Sequence, residues 1–247
     1  MQDNIEQRLD CRYKKFTGSQ ALVSDFIARD PVQFPRRYTD RGDIEIAAFL
    51  AATIAWGRRD LILRSAERMF ALMAPGPAAF VMAGNFRKLT YRCLHRTFFE
   101  DDLKYFCKGF RHRYRKFGSL EKIFAKVPDI WQGISLFREE MAAANGGRYT
   151  KHIANPDTSA CKRMNLALRW LVRPGPVDLG LWESIAPSAL YIPLDVHVAR
   201  NARGLGLLQR KSNDKKAVIE LTEKLRKFYP QDPVKYDFAL FSGEQKP

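Results

Sequence analysis

The chain has 247 residues, 46% of them hydrophobic, which is enough for one sizeable core or for two lobes. Lysine and arginine total 42 against 27 acidic residues, giving a formal net charge of +15. A field of that sign attracts polyanions, so we expect a nucleic-acid partner. No stretch approaches the roughly 20 uninterrupted apolar residues that a membrane helix needs. The N-terminal segment MQDNIEQRLDCRYKKF lacks the apolar core of a signal peptide, so we expect a cytoplasmic protein with no membrane partner.

The cysteines carry no metal-binding pattern. Cys11, Cys93, Cys107 and Cys161 are scattered, with no C-x-x-C pair and no cluster with histidine. Structural zinc and iron–sulfur sites need such closely spaced ligands. We therefore expect free thiols, no metal and no organic cofactor.

Helical periodicity dominates the chain, and alternating strand patterns are nearly absent. Asp43 is the expected cap of the first clear helix, and Asp60 begins the second after a break at Gly57. The pattern predicts an all-α fold with helices over 43–56, 60–73, 97–117, 119–126, 129–144, 159–172, 179–185, 196–202 and 214–228.

The segment SACKRMNLALRWLVR, residues 159–173, places Lys162 in the first turn of a helix, after a polar loop. Unpaired N–H groups at a helix start suit a phosphate, so Ser159 and Arg163 are candidate phosphate contacts. The positive potential there disfavours a protonated lysine, and a neutral lysine is a good nucleophile toward carbon. The alternative is that Lys162 is a solvated surface charge.

The segment YIPLDVHVARNARGLGLL, residues 191–208, places Asp195 directly before a helical stretch. Asp195 is therefore a predicted N-cap. That structural role requires no chemistry, but a capping aspartate can also stabilise positive charge on a substrate.

These segments resemble the helix-hairpin-helix DNA glycosylase superfamily. PLDVHVARNARGLGL resembles the segment that carries the essential aspartate there, with proline two residues before it as in the 8-oxoguanine glycosylase branch. CKRMNLALRW resembles the helix after the hairpin, and Lys162 falls at the lysine position. IEIAAFLAATIAWGRRDL resembles the family's early helix and turn. The whole chain also resembles a bacterial family described mainly from genome sequences.

Two departures from the superfamily pattern concern the hairpin and the spacing. ANPDTSA stands in place of the Leu-Pro-Gly-Val-Gly hairpin. Lys162 and Asp195 are 33 positions apart, a spacing similar to that of the archaeal 8-oxoguanine branch. The resemblance implies two helical lobes with a DNA-binding cleft between them. One lobe would comprise 43–185 with an atypical hairpin, and the other 1–42 with 186–247.

The resemblance also implies an activity and a partner. The partner would be lesion-bearing double-stranded DNA, and the protein a monomer in the bacterial cytosol or nucleoid. Lys162 would attack the sugar of a nucleotide that carries a damaged base, for example an oxidised purine, and would form a Schiff base. Asp195 would stabilise the cationic sugar. The implied activity would be that of a DNA glycosylase with associated AP-lyase activity.

Further candidates each have a simpler alternative. His197, Trp170 and Trp56 are candidates for the base pocket, although a packed or capping role is the more common one for a histidine such as His197, and a core position is the simpler interpretation of Trp170. Arg58 and Arg59 are candidate phosphate contacts, or else part of a solvated basic turn.

Two other classes of protein remain open from the sequence. A non-catalytic nucleic-acid-binding protein would keep the scaffold and its phosphate contacts, and Lys162 would have no catalytic role. A helical protein-interaction module would show an exposed apolar groove and scattered charge. The distribution of lysine and arginine separates the nucleic-acid hypotheses from the third.

Overall fold

A computed structural model describes residues 2–241, which are mostly helical. The helices are α1 Gln2–Thr17, α2 Gln20–Ala28, α3 Arg41–Thr53, α4 Arg59–Ala71, α5 Pro77–Ala83, α6 Glu100–Phe117, α7 Glu121–Phe124, α8 Ile130–Ala143, α9 Lys162–Val172, α10 Val196–Gly204, α11 Lys215–Phe228 and α12 Tyr236–Phe241. Short 3-10 turns cover Pro31–Gln33, Pro35–Arg37, Asn85–Lys88, Pro187–Ala189 and Pro233–Lys235. Strands β1 Cys93–His95 and β2 Phe98–Phe99 form a small antiparallel hairpin.

The predicted all-α class is confirmed, with differences at particular elements. Asp40, not Asp43, caps α3, because its side chain accepts the Asp43 N–H at 3.1 Å. The hairpin of β1 and β2 delays the start of the third predicted helix to Glu100. The helix expected over 179–185 is absent, because that proline- and glycine-rich connector runs irregularly along the C-terminal end of α9.

The described residues divide into two compact units. The terminal unit contains the chain up to Phe26 and from Pro156 onward, and the central unit is Ile27–Asn155. The sequence analysis places the boundaries at 42/43 and 185/186, so the two divisions differ in the assignment of 27–42, which the structure puts in the central unit, and of 156–185. In the structure the latter segment, including Lys162, shares the terminal unit with Asp195.

The core of the central unit is built around α3, which is buried from Ile44 to Thr53. Its sequence is apolar on every side, as expected for a helix surrounded by other elements. Phe49 of α3 stacks on Phe137 of α8 with ring centroids 4.9 Å apart, and Phe124 and Phe110 lie beside them. Helices α5 to α8 pack around this aromatic cluster.

Glu45 is the buried acid of α3 and organises the polar groups around it. Its side chain is fully buried and accepts hydrogen bonds from the Tyr114 hydroxyl at 2.6 Å and the Leu120 N–H at 2.9 Å. Ser119 Oγ donates to it at 3.0 Å, and Arg41 Nε lies 3.3 Å away. Burial, and then the charge of Glu45, raise the pKa of Tyr114, so the phenol stays a donor.

We expect Glu45→Ala to lower the free energy of unfolding by about 3 kcal/mol, because it leaves the buried Leu120 N–H and the buried Ser119 hydroxyl without their acceptor. Urea unfolding at neutral pH measures this loss. Glu67→Ala is the matched control, since the Glu67 side chain is 61% exposed and pairs only at the surface with Arg37. The control should lose no more than about 0.5 kcal/mol. Equal losses in the two variants would contradict the structural role of Glu45.

Candidate functional site

The start of α9 has an unusual backbone that exposes one lysine. Cys161, at the N-cap position, has φ +44 and lies in the left-handed region, where residues other than glycine are strained. Ser159 Oγ accepts the Cys161 N–H at 3.1 Å and supports this turn. Lys162 is the first helical residue, and from Met164 onward most side chains of α9 are buried. Lys162 is thus held at the exposed end of an otherwise buried helix.

Asp195 caps α10, as the sequence predicted. Its Oδ1 accepts the backbone N–H groups of His197 and Val198, each at 2.9 Å. These bonds satisfy two donors that a helix start otherwise leaves unpaired. The same bonds fix the orientation of the carboxylate, which leaves its other oxygen, Oδ2, directed elsewhere.

Lys162 and Asp195 meet in the terminal unit. Lys162 Nζ lies 3.3 Å from Asp195 Oδ2, and the two side chains are 34% and 17% exposed. One oxygen of Asp195 therefore caps a helix while the other faces an amine. Both groups remain accessible to a ligand, and the amine is half-buried beside a fixed negative charge.

The connector between α9 and α10 brings the two residues together. Leu179 N–H donates to the Trp170 carbonyl at 2.7 Å, and Trp182 N–H donates to the Leu171 carbonyl at 2.8 Å, so the connector follows the end of α9. Ile192 N–H then donates to Thr222 Oγ1 of α11 at 3.2 Å. Asp195 follows three residues later, which places the start of α10 beside the start of α9.

A buried charge network surrounds the interior part of α9. Arg169 Nε lies 3.2 Å from Asp178, and its Nη1 donates to Asp237 Oδ2. Arg173 pairs with Asp178 at 3.0 Å and with Asp232 at 2.8 Å. Charges buried in this way need partners, and each arginine here has two. The network anchors α9 to the connector and to α12.

Asp237 links this network electrostatically to the Lys162–Asp195 pair. Its pKa is raised to about 6, chiefly by burial, with Arg169 acting to lower it and the charge of Asp195 acting to raise it. Lys162 acts in the opposite direction on the same carboxyl. Asp237 Oδ1 is buried and has no hydrogen-bond partner among residues 2–241.

The sequence analysis missed Asp237 and its partner Arg169. A signal was present, because an aspartate in the apolar run YDFALF breaks the pattern of a buried helix and needs a cation. Arg169, likewise on an apolar helix, is the cation it meets. Nothing in the local sequence pairs positions that are so far apart.

The other predicted site residues of the terminal unit differ in their exposure. His197 is exposed, and its backbone N–H donates to Asp195. Ser159 and Arg163 lie on either side of the strained turn, and burial lowers the pKa of Arg163. Trp170 is fully buried, so its ring is inaccessible to a base in this structure.

The remaining candidates belong to the central unit. The Trp56 ring packs edge-on against His95, with centroids 4.8 Å apart, and stacks on His152 at 5.8 Å. Arg58 is exposed and pairs with Asp60 at 3.0 Å, and Arg59 lies 3.9 Å from Asp30. Their predicted roles with DNA stay predictions.

Residues 2–241 contain neither a cluster of metal ligands nor a membrane-spanning helix. No group of three or more histidine, cysteine, aspartate or glutamate side chains is placed to hold a metal ion within this range. No helix in the same range is both long and apolar enough to cross a membrane.

The chain is thus a basic, mostly helical protein with a lysine–aspartate pair at the starts of two helices. Residues 30–246 match the family described as "Protein of unknown function (DUF2400)", and the chain belongs to that family. No curated protein and no solved structure matches the chain.

Proposed function

We propose that this protein is a DNA-repair glycosylase with associated AP-lyase activity. The observation that carries the proposal is the 3.3 Å approach of Lys162 Nζ to Asp195 Oδ2, with both side chains accessible. These two residues are 33 positions apart in the sequence and lie together in the structure. The resemblance to helix-hairpin-helix glycosylases pairs the same two residues. The positive charge of the chain supports DNA as the substrate.

The proposed reaction begins with a nucleotide rotated out of the duplex, which exposes its C1′ atom. Lys162, as the free amine, forms a bond to C1′ while the bond from C1′ to the base breaks. The base leaves with that electron pair and takes up a proton. Opening of the sugar ring then converts the new C–N bond into an imine, and loss of the C2′ proton expels the 3′ phosphate.

Asp195 has two tasks in this scheme. In the proposal its Oδ2, which lies 3.3 Å from the Lys162 amine, stabilises the positive charge that develops on the sugar as the base leaves. Its Oδ1 bonds to His197 and Val198 prevent the carboxylate from rotating away. A charge that is fixed before the reaction stabilises the transition state without reorganisation.

Covalent trapping tests the proposal. Wild-type protein is incubated with borohydride and a duplex that contains an abasic site, an oxidised purine or no lesion. Borohydride reduces the imine to a stable amine, so we expect a protein–DNA band with the abasic duplex and none with the undamaged one. Absence of a band with every lesion-bearing duplex would overturn the enzymatic proposal.

Salt dependence tests the DNA-binding part separately. Each phosphate that the protein neutralises releases a condensed counterion, so affinity falls as salt rises. For about five phosphate contacts, the slope of log K against log salt should be on the order of −4. Fluorescence anisotropy with a short duplex measures it. A flat dependence, or no binding at low salt, would contradict every nucleic-acid role.

A non-catalytic DNA-binding protein is the second candidate. The observation that favours it is the same 3.3 Å distance, because an ordinary ion pair has that geometry. Such a protein would bind duplex DNA with the salt dependence above and would trap with no lesion.

A further inference from the structure

A pocket lies in the central unit, between one face of α6 and the 3-10 turn that follows α5. Its volume is about 450 Å³, and we call it the basic pocket. Its walls carry six nitrogen-bearing side chains, namely Arg87, Lys108, Arg111, His112, Arg115 and Lys116. No acidic residue lines it among the residues that the structure describes.

Helical spacing explains why these side chains converge. Lys108, Arg111 and Arg115 are three or four residues apart on α6, so they share one face of that helix. Arg87 comes from the 3-10 turn Asn85–Lys88, which packs against α6. Gly84, just before that turn, has φ +81, and a Cβ there would lie 3.1 Å from Arg111 Nη1. Glycine thus lets the guanidinium approach the backbone closely.

Among residues 2–241, the lysines and arginines of the basic pocket have no carboxylate partner, whereas many other cations of the chain do. Within the described range, none of its lysines and arginines makes an ion pair at 4.0 Å or less. By contrast Arg113, on the same helix, lies 2.8 Å from Glu140. Like charges placed together without a counter-charge repel one another, and a bound anion relieves that repulsion.

Arg111 shows the effect of this crowding. Partial desolvation, and then the charges of Arg115 and Arg87, lower its pKa. Its Nε is buried without a hydrogen-bond partner among residues 2–241. An anion bound beside the Arg111 guanidinium would supply the negative charge that this cluster lacks.

We propose that the basic pocket is a phosphate-binding site for a ligand that carries two or more phosphate groups. Guanidinium groups match phosphate oxygens in pairs, and the pocket supplies three arginines and two lysines. Its volume is in the range of small-molecule sites and exceeds the size of a single phosphate. The source of the phosphates is either a nucleic-acid backbone or a free polyphosphate. The site does not involve Lys162, which lies in the terminal unit.

The test uses the full chain and two probes, inorganic tripolyphosphate by calorimetry and an undamaged 20-base-pair duplex by anisotropy. The test variant is Arg87→Gln with Arg115→Gln, both exposed residues whose replacement leaves the core unchanged. The matched control is Arg37→Gln with Arg64→Gln. It removes the same charge from the same unit, at arginines paired with Glu67 and Asp60.

We expect the pocket variant to bind tripolyphosphate at least about tenfold more weakly, since charged hydrogen bonds of this kind are strong. The control should keep nearly wild-type affinity. If the duplex competes with tripolyphosphate and loses affinity in the same variant, the source is a nucleic-acid backbone. If only tripolyphosphate binding falls, the source is a free polyphosphate.

The proposal is overturned if the two double variants bind both probes equally well. It is also overturned if the wild type binds neither probe. Covalent trapping at Lys162 is not a readout of this experiment, so failure of either proposal is distinguishable from failure of the other.

Discussion

Lys162→Gln should abolish the borohydride-trapped complex with an abasic-site duplex and also abolish strand cleavage. Glutamine keeps much of the length and polarity of lysine, but its amide cannot form an imine. Because Lys162 is 34% exposed at the end of α9, the replacement should leave the fold intact. Denaturing gel electrophoresis measures trapping, and anisotropy measures binding. Binding should persist. The slope of log K against log salt should become shallower by no more than about one.

Lys224→Gln is the matched control for this variant. The Lys224 side chain is 33% exposed and lies 3.8 Å from Glu220, so its burial and ion pairing resemble those of Lys162. It lies in the same unit. The control should trap like the wild type. A Lys162→Gln protein that still traps would assign the nucleophile to another lysine.

Asp195→Asn should slow base release by about 100-fold or more while leaving the fold nearly unchanged. The substitution removes the negative charge that faces Lys162, and loss of one preorganised electrostatic contact has an effect of this order. Asparagine caps helices about as well as aspartate, so the bonds to His197 and Val198 can persist through its side-chain oxygen. Single-turnover kinetics and thermal unfolding together measure the two effects.

Asp40→Asn makes the same change at another helix cap. Asp40 caps α3 through the Asp43 N–H and lies in the central unit. This control should keep wild-type rates and a similar melting temperature. Full activity in a folded Asp195→Asn protein would show that Asp195 is only a cap and that its approach to Lys162 is a structural ion pair.

Local patterns predicted the elements that depend on local physics. The N-cap role of Asp195 follows from a short side chain before a helical stretch, and the structure confirms it. The position of Lys162 in a first helical turn follows from the apolar periodicity of α9. The cap of α3 was assigned three residues late, because both Asp40 and Asp43 satisfy the same pattern.

Features that depend on contacts between distant residues could not be predicted from the sequence. The ion pair between Arg169 and Asp237 joins residues 68 positions apart, and no periodicity links them. The segment 156–185 belongs to the terminal unit, where Asp178 pairs with arginines of α9. The basic pocket needs Arg87 from one element and the cations of α6 from another. Net charge indicated a polyanionic partner but could not locate its contacts.

The most direct test of the central claim identifies the atom that becomes attached to DNA. Wild-type protein trapped with borohydride on an abasic-site duplex is digested with protease and nuclease, and the modified peptide is sequenced by mass spectrometry. The account predicts a deoxyribose remnant on Lys162 and on no other residue. Modification of a different lysine, or absence of any adduct on a protein that binds the duplex, would contradict it.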